Sequence, residues 1–153
     1  MRYSTEKRKF GFVELTYLLI GVLLLLLIGI VAKGQQPIYG EYRGVRLGMT
    51  AMDVRTKLGE PVMKSDDQDY FVISPSETVQ VAYQAQKVVT ISTDYTGGAG
   101  APDFKSVVGD SLLQRPDGSM FSMVLHNAQG FWVTYNKSAS TVPVVTITIG
   151  KMK

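Results

Sequence analysis

The 153-residue chain contains no cysteine and a single histidine, and only 19% of its residues are charged. Without cysteine it offers no disulfide scaffold, no thiolate metal site, no cysteine nucleophile and no lipid anchor on an amino-terminal cysteine. With His126 as its one imidazole, it offers no site built from several histidines. The chemistry that remains is that of carboxylates, hydroxyls and backbone groups.

The basic residues are concentrated near the amino terminus. The formal net charge of +3 comes from residues 1–33, since residues 34–153 carry eleven basic and eleven acidic side chains. Binding to nucleic acid requires a basic face that replaces the counterions of the phosphates. A neutral folded part therefore argues against a nucleic-acid partner.

A long apolar run follows this basic tail. Residues 15–32 hold no charged side chain and include five consecutive leucines, and as a helix they would be about 27 Å long, close to the thickness of a bilayer core. We therefore expect a cytoplasmic basic tail over residues 1–9 and a transmembrane helix that binds the lipid bilayer over residues 10–32. The positive-inside rule then places residues 34–153 outside the cytoplasm.

Two alternatives to this anchor start from the same residues. A cleaved signal peptide also begins with basic residues, but its apolar core is shorter and ends in small residues, unlike the end of this run at Ala32-Lys33. The stretch Lys9 to Glu14 resembles the start of a type IV pilin or pseudopilin, in which a basic leader ends in glycine, a Phe follows and the apolar helix carries one glutamate. That resemblance implies processing near Gly11 and assembly through the apolar helix.

A short capped helix is predicted after a linker over residues 33–43. Thr50 can accept a hydrogen bond from a first-turn N–H, and Asp53 three residues later completes a capping box with Asp in place of Glu. Gly59 supplies the residue that ends the helix, and a proline follows it. The pattern predicts a helix over residues 51–58.

Strands with alternating apolar residues follow the helix, and the whole pattern then repeats. The first set of runs covers residues 70–73, 79–83 and 88–92, and the second covers residues 120–125, 130–135 and 144–149. We expect a helix with a three-stranded antiparallel meander over residues 44–95, a glycine-rich linker over 96–102 and a second, degenerate unit over 103–153. The predicted fold class is α+β, a transmembrane helix followed by a tandem repeat of two such units whose sheets join or pack face to face.

The first of these units resembles a known family. The residues that carry the resemblance are Gly44-Val45-Arg46-Leu47-Gly48-Met49-Thr50, Asp53-Val54 and Lys57-Leu58-Gly59-Glu60-Pro61. They are similar to the "G-M-T, helix, L-G-x-P, three strands" pattern of the BamE-like (SmpA/OmlA) family, whose topology is shared by tandem-repeat β-lactamase inhibitor proteins. The resemblance implies an envelope protein that works by contact with other proteins, with residues 34–153 in the bacterial periplasm.

The polar residues form no recognisable catalytic or metal-binding motif. His126, with Asp110 or Asp117, lacks the spacing of a nucleophile elbow. The acidic residues of the 66–69 stretch, Asp66, Asp67 and Asp69, lack the spaced loop and closing glutamate of a calcium site. We therefore expect no catalytic, cofactor-binding or metal-binding residue, no small-molecule substrate and no enzyme activity.

Aromatic residues are the remaining candidates for recognition. Phe131 and Trp132 are adjacent in a predicted strand, so their side chains point to opposite faces and cannot share one core. Trp and Tyr are enriched at contact hot spots. Trp132, with Phe131 and Tyr135, is the predicted partner-binding set, and ordinary core packing of Trp132 is the alternative.

The predicted function is a membrane-anchored, noncatalytic interaction or scaffold module of the cell envelope that binds an envelope protein.

Overall fold

An antiparallel sheet of eight strands dominates the computed structural model, which describes residues 38–110 and 113–153. In chain order the elements are β1 (Glu41–Tyr42), β2 (Val45–Arg46), α1 (Ala51–Leu58), β3 (Met63–Lys64), β4 (Gln68–Ser74), β5 (Glu77–Gln84), β6 (Lys87–Thr96), α2 (Phe104–Val108), β7 (Leu113–Gln114), β8 (Met120–His126), a 3₁₀ turn (Asn127–Gln129), β9 (Phe131–Lys137) and β10 (Val144–Lys151). All of them lie in one compact unit, Pro37–Lys153. The domain boundaries predicted inside this unit stay predictions.

The two sets of strands meet at the centre of the sheet. The strand order is β3-β4-β5-β6-β10-β9-β8-β7, and β1 and β2 form a separate hairpin. Strands β6 and β10 pair antiparallel from Val144 opposite Thr96 to Gly150 opposite Thr90. Each half therefore contributes four strands, and its last long strand lies against the last long strand of the other half.

The helices begin at side-chain caps. At α1 the backbone N–H of Asp53 donates to Thr50 Oγ1 over 3.2 Å, and the N–H of Thr50 donates to Asp53 Oδ2 over 3.2 Å. Gly59 ends the helix with a φ of 87°, which L side chains rarely adopt. Asp103 caps α2 by accepting from the N–H of Lys105. The reciprocal capping box is the one that the sequence predicts for residues 50 and 53.

Both helices pack on the same face of the sheet, the covered face. Residues that are paired across neighbouring strands point to one side, and alternate residues point to the other. Residues of α1 pack with β4, β5 and β6 in one core cluster, and residues of α2 pack with β9 and β10 in a second. The clusters include Val54, Phe71 and Val81 in the first, and Val108, Val133 and Ile147 in the second. No described helix contributes to the opposite face, here called the open face.

The predicted fold class of two α+β units is wrong. The described part of the chain is mostly β, because an eight-stranded sheet is accompanied by helices of only eight and five residues. The two predicted meanders do not form separate layers. They join through β6 and β10, since the apolar alternation of both strands places Ile91 opposite Ile149 on the covered face.

The predicted single-pass membrane protein is corrected as well. Among the described residues, no helix is long and apolar enough to cross a bilayer, and the eight residues of α1 would extend only about 12 Å. The predicted extracytoplasmic location of residues 34–153 is withdrawn on this finding. The basic tail over 1–9, the apolar run over 10–32 and the processing position at Gly11 lie outside the described residues.

Candidate protein-interaction face

The open face is formed by three rows of cross-strand neighbours. The middle row consists of Met63, Tyr70, Gln80, Ser92, Thr148, Thr134 and Met123. The row on one side consists of Gln68, Ala82, Thr90, Gly150, Trp132 and Leu125. The row on the other side consists of Val72, Thr78, Asp94, Thr146, Asn136, Phe121 and Leu113. The pairing therefore places side chains from both halves of the chain on one continuous surface.

The centre of the open face carries short hydroxyl side chains. Ser92 Oγ and Thr148 Oγ1 lie 3.0 Å apart across the β6–β10 pair. In the next row, Thr146 Oγ1 donates to Asp94 Oδ1 over 2.6 Å. These hydrogen bonds satisfy polar groups at the seam between the two halves.

The end of the open face along β8, together with Trp132 of β9, is apolar. Phe121, Met123 and Leu125 alternate along β8, and Trp132 on β9 is the cross-strand neighbour of Leu125. Met123 is 47% exposed and Leu125 is 54% exposed, whereas Phe121 and Trp132 are half-buried. We call these four residues the apolar patch. A contiguous exposed apolar surface of this kind marks interaction sites on soluble proteins.

Trp132 is held in place by the absence of a side chain at position 150. A β-carbon built on Gly150 would overlap the ring atoms of Trp132, so the indole lies against the backbone of β10. Because the ring is already fixed, less side-chain conformational entropy is lost when a partner binds. Trp132 is therefore a preorganised aromatic side chain within the apolar end of the open face.

The other two predicted partner-binding residues lie on the covered face. Phe131 stacks against His126, with ring centroids 4.7 Å apart, and approaches Gly40. Tyr135 is buried in the second core cluster, where its ring meets Phe104 edge-on, and burial raises the pKa of its phenol. Of the predicted set, the structure brings only Trp132 to the open face.

Sequence reasoning did not single out Leu125, which contributes the most exposed side chain of the apolar patch. The signal that locates it is the alternation of residues 121, 123 and 125 on one side of β8. The pairing of Leu125 with Trp132 depends on the register between β8 and β9, which the sequence does not display.

The strongest charged cluster lies on the covered face. Asp69 is fully buried, and its carboxylate accepts hydrogen bonds from Arg55 Nε at 2.8 Å and Arg55 Nη2 at 2.9 Å. The hydroxyl of Tyr83 donates to the same carboxylate over 2.8 Å. Burial and this hydrogen bond raise the pKa of Tyr83. The cluster joins α1 to β4 and β5 and uses the bonding capacity of Asp69 for structure.

The other polar residues considered from the sequence stay apart. His126 Nε2 is buried without a hydrogen-bond partner among the described residues. Asp110 lies against Lys105, and Asp117 accepts hydrogen bonds from Ser119, which lower the pKa of Asp117. Within the described ranges, no three acidic or imidazole side chains come together as metal ligands would.

Comparisons of the chain with protein-family models, with curated proteins and with solved structures find no match. The resemblance of residues 44–93 to the BamE-like family stays a prediction, and no relative assigns a role to any residue of the open face. The geometry of the open face is therefore the guide to its function.

Proposed function

We propose that this protein is a noncatalytic interaction module that binds a partner protein on the open face of its sheet, with the apolar patch at the centre of the contact. The observation that carries the proposal is the apolar patch itself. Phe121, Met123, Leu125 and Trp132 lie together on a face that no described helix covers.

The composition of the open face favours a protein partner. Protein interfaces combine a desolvated core, often built around Trp, with a polar surround that supplies hydrogen bonds. Here the apolar patch adjoins hydroxyl side chains that include Thr134, Thr148 and Ser92. A partner can therefore bury Trp132 and Leu125 while hydrogen-bonding to the neighbouring rows.

The arrangement of charged groups favours binding over catalysis. Asp69 is committed to Arg55 and Tyr83, and Glu77 accepts from Tyr42 and Arg43. Neither carboxylate stands free beside a nucleophile or an oxyanion-stabilising group, which is the arrangement that acid–base or acyl-transfer chemistry needs. The resemblance of residues 44–93 to small domains that work by protein contact favours the same class of function.

The proposal is tested by placing a charge on each side of the molecule. Met123→Glu alters the apolar patch, and Met52→Glu is the matched control because Met52 is 77% exposed on α1, away from the open face. Full-length variants are expressed in the cells that naturally make the protein, and co-purifying proteins are quantified against wild type. We expect Met123→Glu to reduce the amount of one specific co-purifying protein by about tenfold or more relative to wild type. Met52→Glu should retain the wild-type amount of that protein.

Met123 and Met52 are both exposed, so neither Met123→Glu nor Met52→Glu should alter the free energy of unfolding by more than about 0.5 kcal/mol. Leu125→Glu provides a second variant of the same surface and should behave like Met123→Glu. A partner that is retained equally by all three variants would contradict the proposal.

A further inference from the structure

A groove of about 890 Å³ crosses one end of the sheet, outside the apolar patch. Four segments form its walls: the loop between β2 and α1, the β5–β6 turn with the start of β6, the 3₁₀ turn after β8, and the end of β10 with the two residues that follow it. A smaller hollow of about 370 Å³ shares five of the lining residues and reaches Thr90, a residue of the open face. We call the larger cavity the basic groove.

The charged side chains that line the basic groove are of one sign. Lys87, Lys151 and Lys153 line it, and no acidic residue does. Among the described residues, none of these three ammonium groups forms an ion pair, and the acidic group that faces Lys87 from α1 is Asp53. The hydrogen bonds from Thr50 lower the pKa of Asp53, and Lys87 adds to that effect.

This concentration of positive charge is a local feature. Residues 34–153 carry equal numbers of basic and acidic side chains, so three lysines in one groove without an acidic neighbour on its walls are not explained by the overall charge. A concave site lined by one sign of charge raises the local concentration of the opposite charge. The groove is therefore suited to an anionic ligand.

The remaining lining residues narrow the class of ligand. Gln84, Asn127 and Gln129 provide side-chain amides, which both donate and accept hydrogen bonds and so match a peptide backbone. Leu47 and Met152 add apolar surface to the same lining. A groove of about 890 Å³ lined by three lysines, several amides and apolar side chains fits an extended chain better than a single small anion.

We infer that the basic groove binds an extended acidic segment of a protein, whose carboxylates contact the lysines and whose backbone contacts the amides. Nucleic acid is the weaker fit, because three lysines replace few phosphate counterions. The inference does not depend on the open face being a docking surface, since it uses none of the residues of the apolar patch.

The test measures binding of a fluorescein-labelled oligo-aspartate peptide to the full-length protein by fluorescence anisotropy. We expect saturable binding at low salt that weakens as salt is added, because the contacts are exposed ion pairs. Replacing Lys87, Lys151 and Lys153 together by Gln should weaken binding by about tenfold. The control replaces Lys57, Lys64 and Lys105 by Gln, which removes the same charge from exposed positions elsewhere and should change affinity by less than about twofold.

Several results would overturn the inference. Equal weakening in both triple variants would show attraction to net charge alone, and absence of binding at low salt would show that the groove takes no acidic chain. Equal or tighter binding of an oligothymidylate or of phosphatidylglycerol vesicles would assign the groove to a different anion. The Met123→Glu variant should bind the peptide as wild type does, so failure here is distinguishable from failure of the open-face proposal.

Discussion

The indole ring of Trp132 occupies the space directly over Gly150, its cross-strand neighbour on β10. Any β-carbon at position 150 would overlap the ring. The position of the only tryptophan in the chain is therefore set by a missing side chain on the adjacent strand. This pairing holds an aromatic surface against the open face, where a partner can reach it.

Replacing Gly150 by Ala should displace Trp132 and destabilise the fold. Forcing a methyl group into occupied space costs about 1 to 3 kcal/mol in the free energy of unfolding, measurable by urea denaturation. Because Trp132 is the only tryptophan, its emission spectrum should report the displacement directly. In a Trp132→Ala background the same change should cost little, since no ring is left to displace. An equal loss of stability in both backgrounds would mean that overlap with the Trp132 ring does not cause the destabilisation by Gly150→Ala.

The buried ion pair should matter far more to stability than the exposed one. Arg55→Ala leaves the carboxylate of Asp69 buried with only Tyr83 as a side-chain donor, and we expect a loss of about 3 kcal/mol. Arg46→Ala is the matched control, because Arg46 pairs with Glu41 while their side chains are 67% and 46% exposed. That change should cost less than about 1 kcal/mol. Similar losses for the two variants, measured by chemical denaturation, would contradict this assignment.

Stability should fall in alkaline solution because the fold keeps several tyrosines neutral. Burial raises the pKa of Tyr42, Tyr83 and Tyr95 above the ordinary value of 10.0, and carboxylates that accept from Tyr42 and Tyr83 raise it further. Below pH 10 both folded and unfolded chains hold these protons, so the stabilisation is fully present. Above pH 10 the unfolded chain releases protons that the folded chain retains, and the free energy of unfolding declines with rising pH.

The expected slope is about 1.4 kcal/mol per pH unit for each tyrosine that stays protonated only in the folded state. Urea denaturation at a series of pH values from neutral to strongly alkaline measures it. Tyr83→Phe should make the decline shallower, because phenylalanine has no proton to release. A free energy of unfolding that stays constant above pH 10 would refute the prediction.

Local features of the fold are readable from the sequence. The capping box of Thr50 and Asp53 is formed by residues three apart, and it appears in the structure with both hydrogen bonds. The alternating runs over 70–73, 79–83 and 88–92 lie inside β4, β5 and β6. These features depend on neighbours in sequence, where side-chain periodicity and capping chemistry act directly.

Features that depend on long-range pairing are not readable in the same way. The join between β6 and β10 pairs residues such as Thr93 and Ile147, far apart in the chain. Asp69 is buried because Arg55 reaches its carboxylate from α1. That contact is not visible in the sequence, where Asp69 is only an acidic residue near the start of a strand. The apolar patch likewise requires the register that sets Leu125 beside Trp132. Of the predicted partner-binding set of Trp132, Phe131 and Tyr135, only Trp132 belongs to the apolar patch.

Site-specific photocrosslinking in living cells tests the central claim most directly. A photoreactive phenylalanine analogue replaces Met123 on the open face in one strain and Met52 on α1 in another, and crosslinked products are identified by mass spectrometry. The account predicts a discrete crosslinked partner protein from position 123 that is absent from position 52. The same products from both positions, or a product from position 52 alone, would show that the open face is not the docking surface.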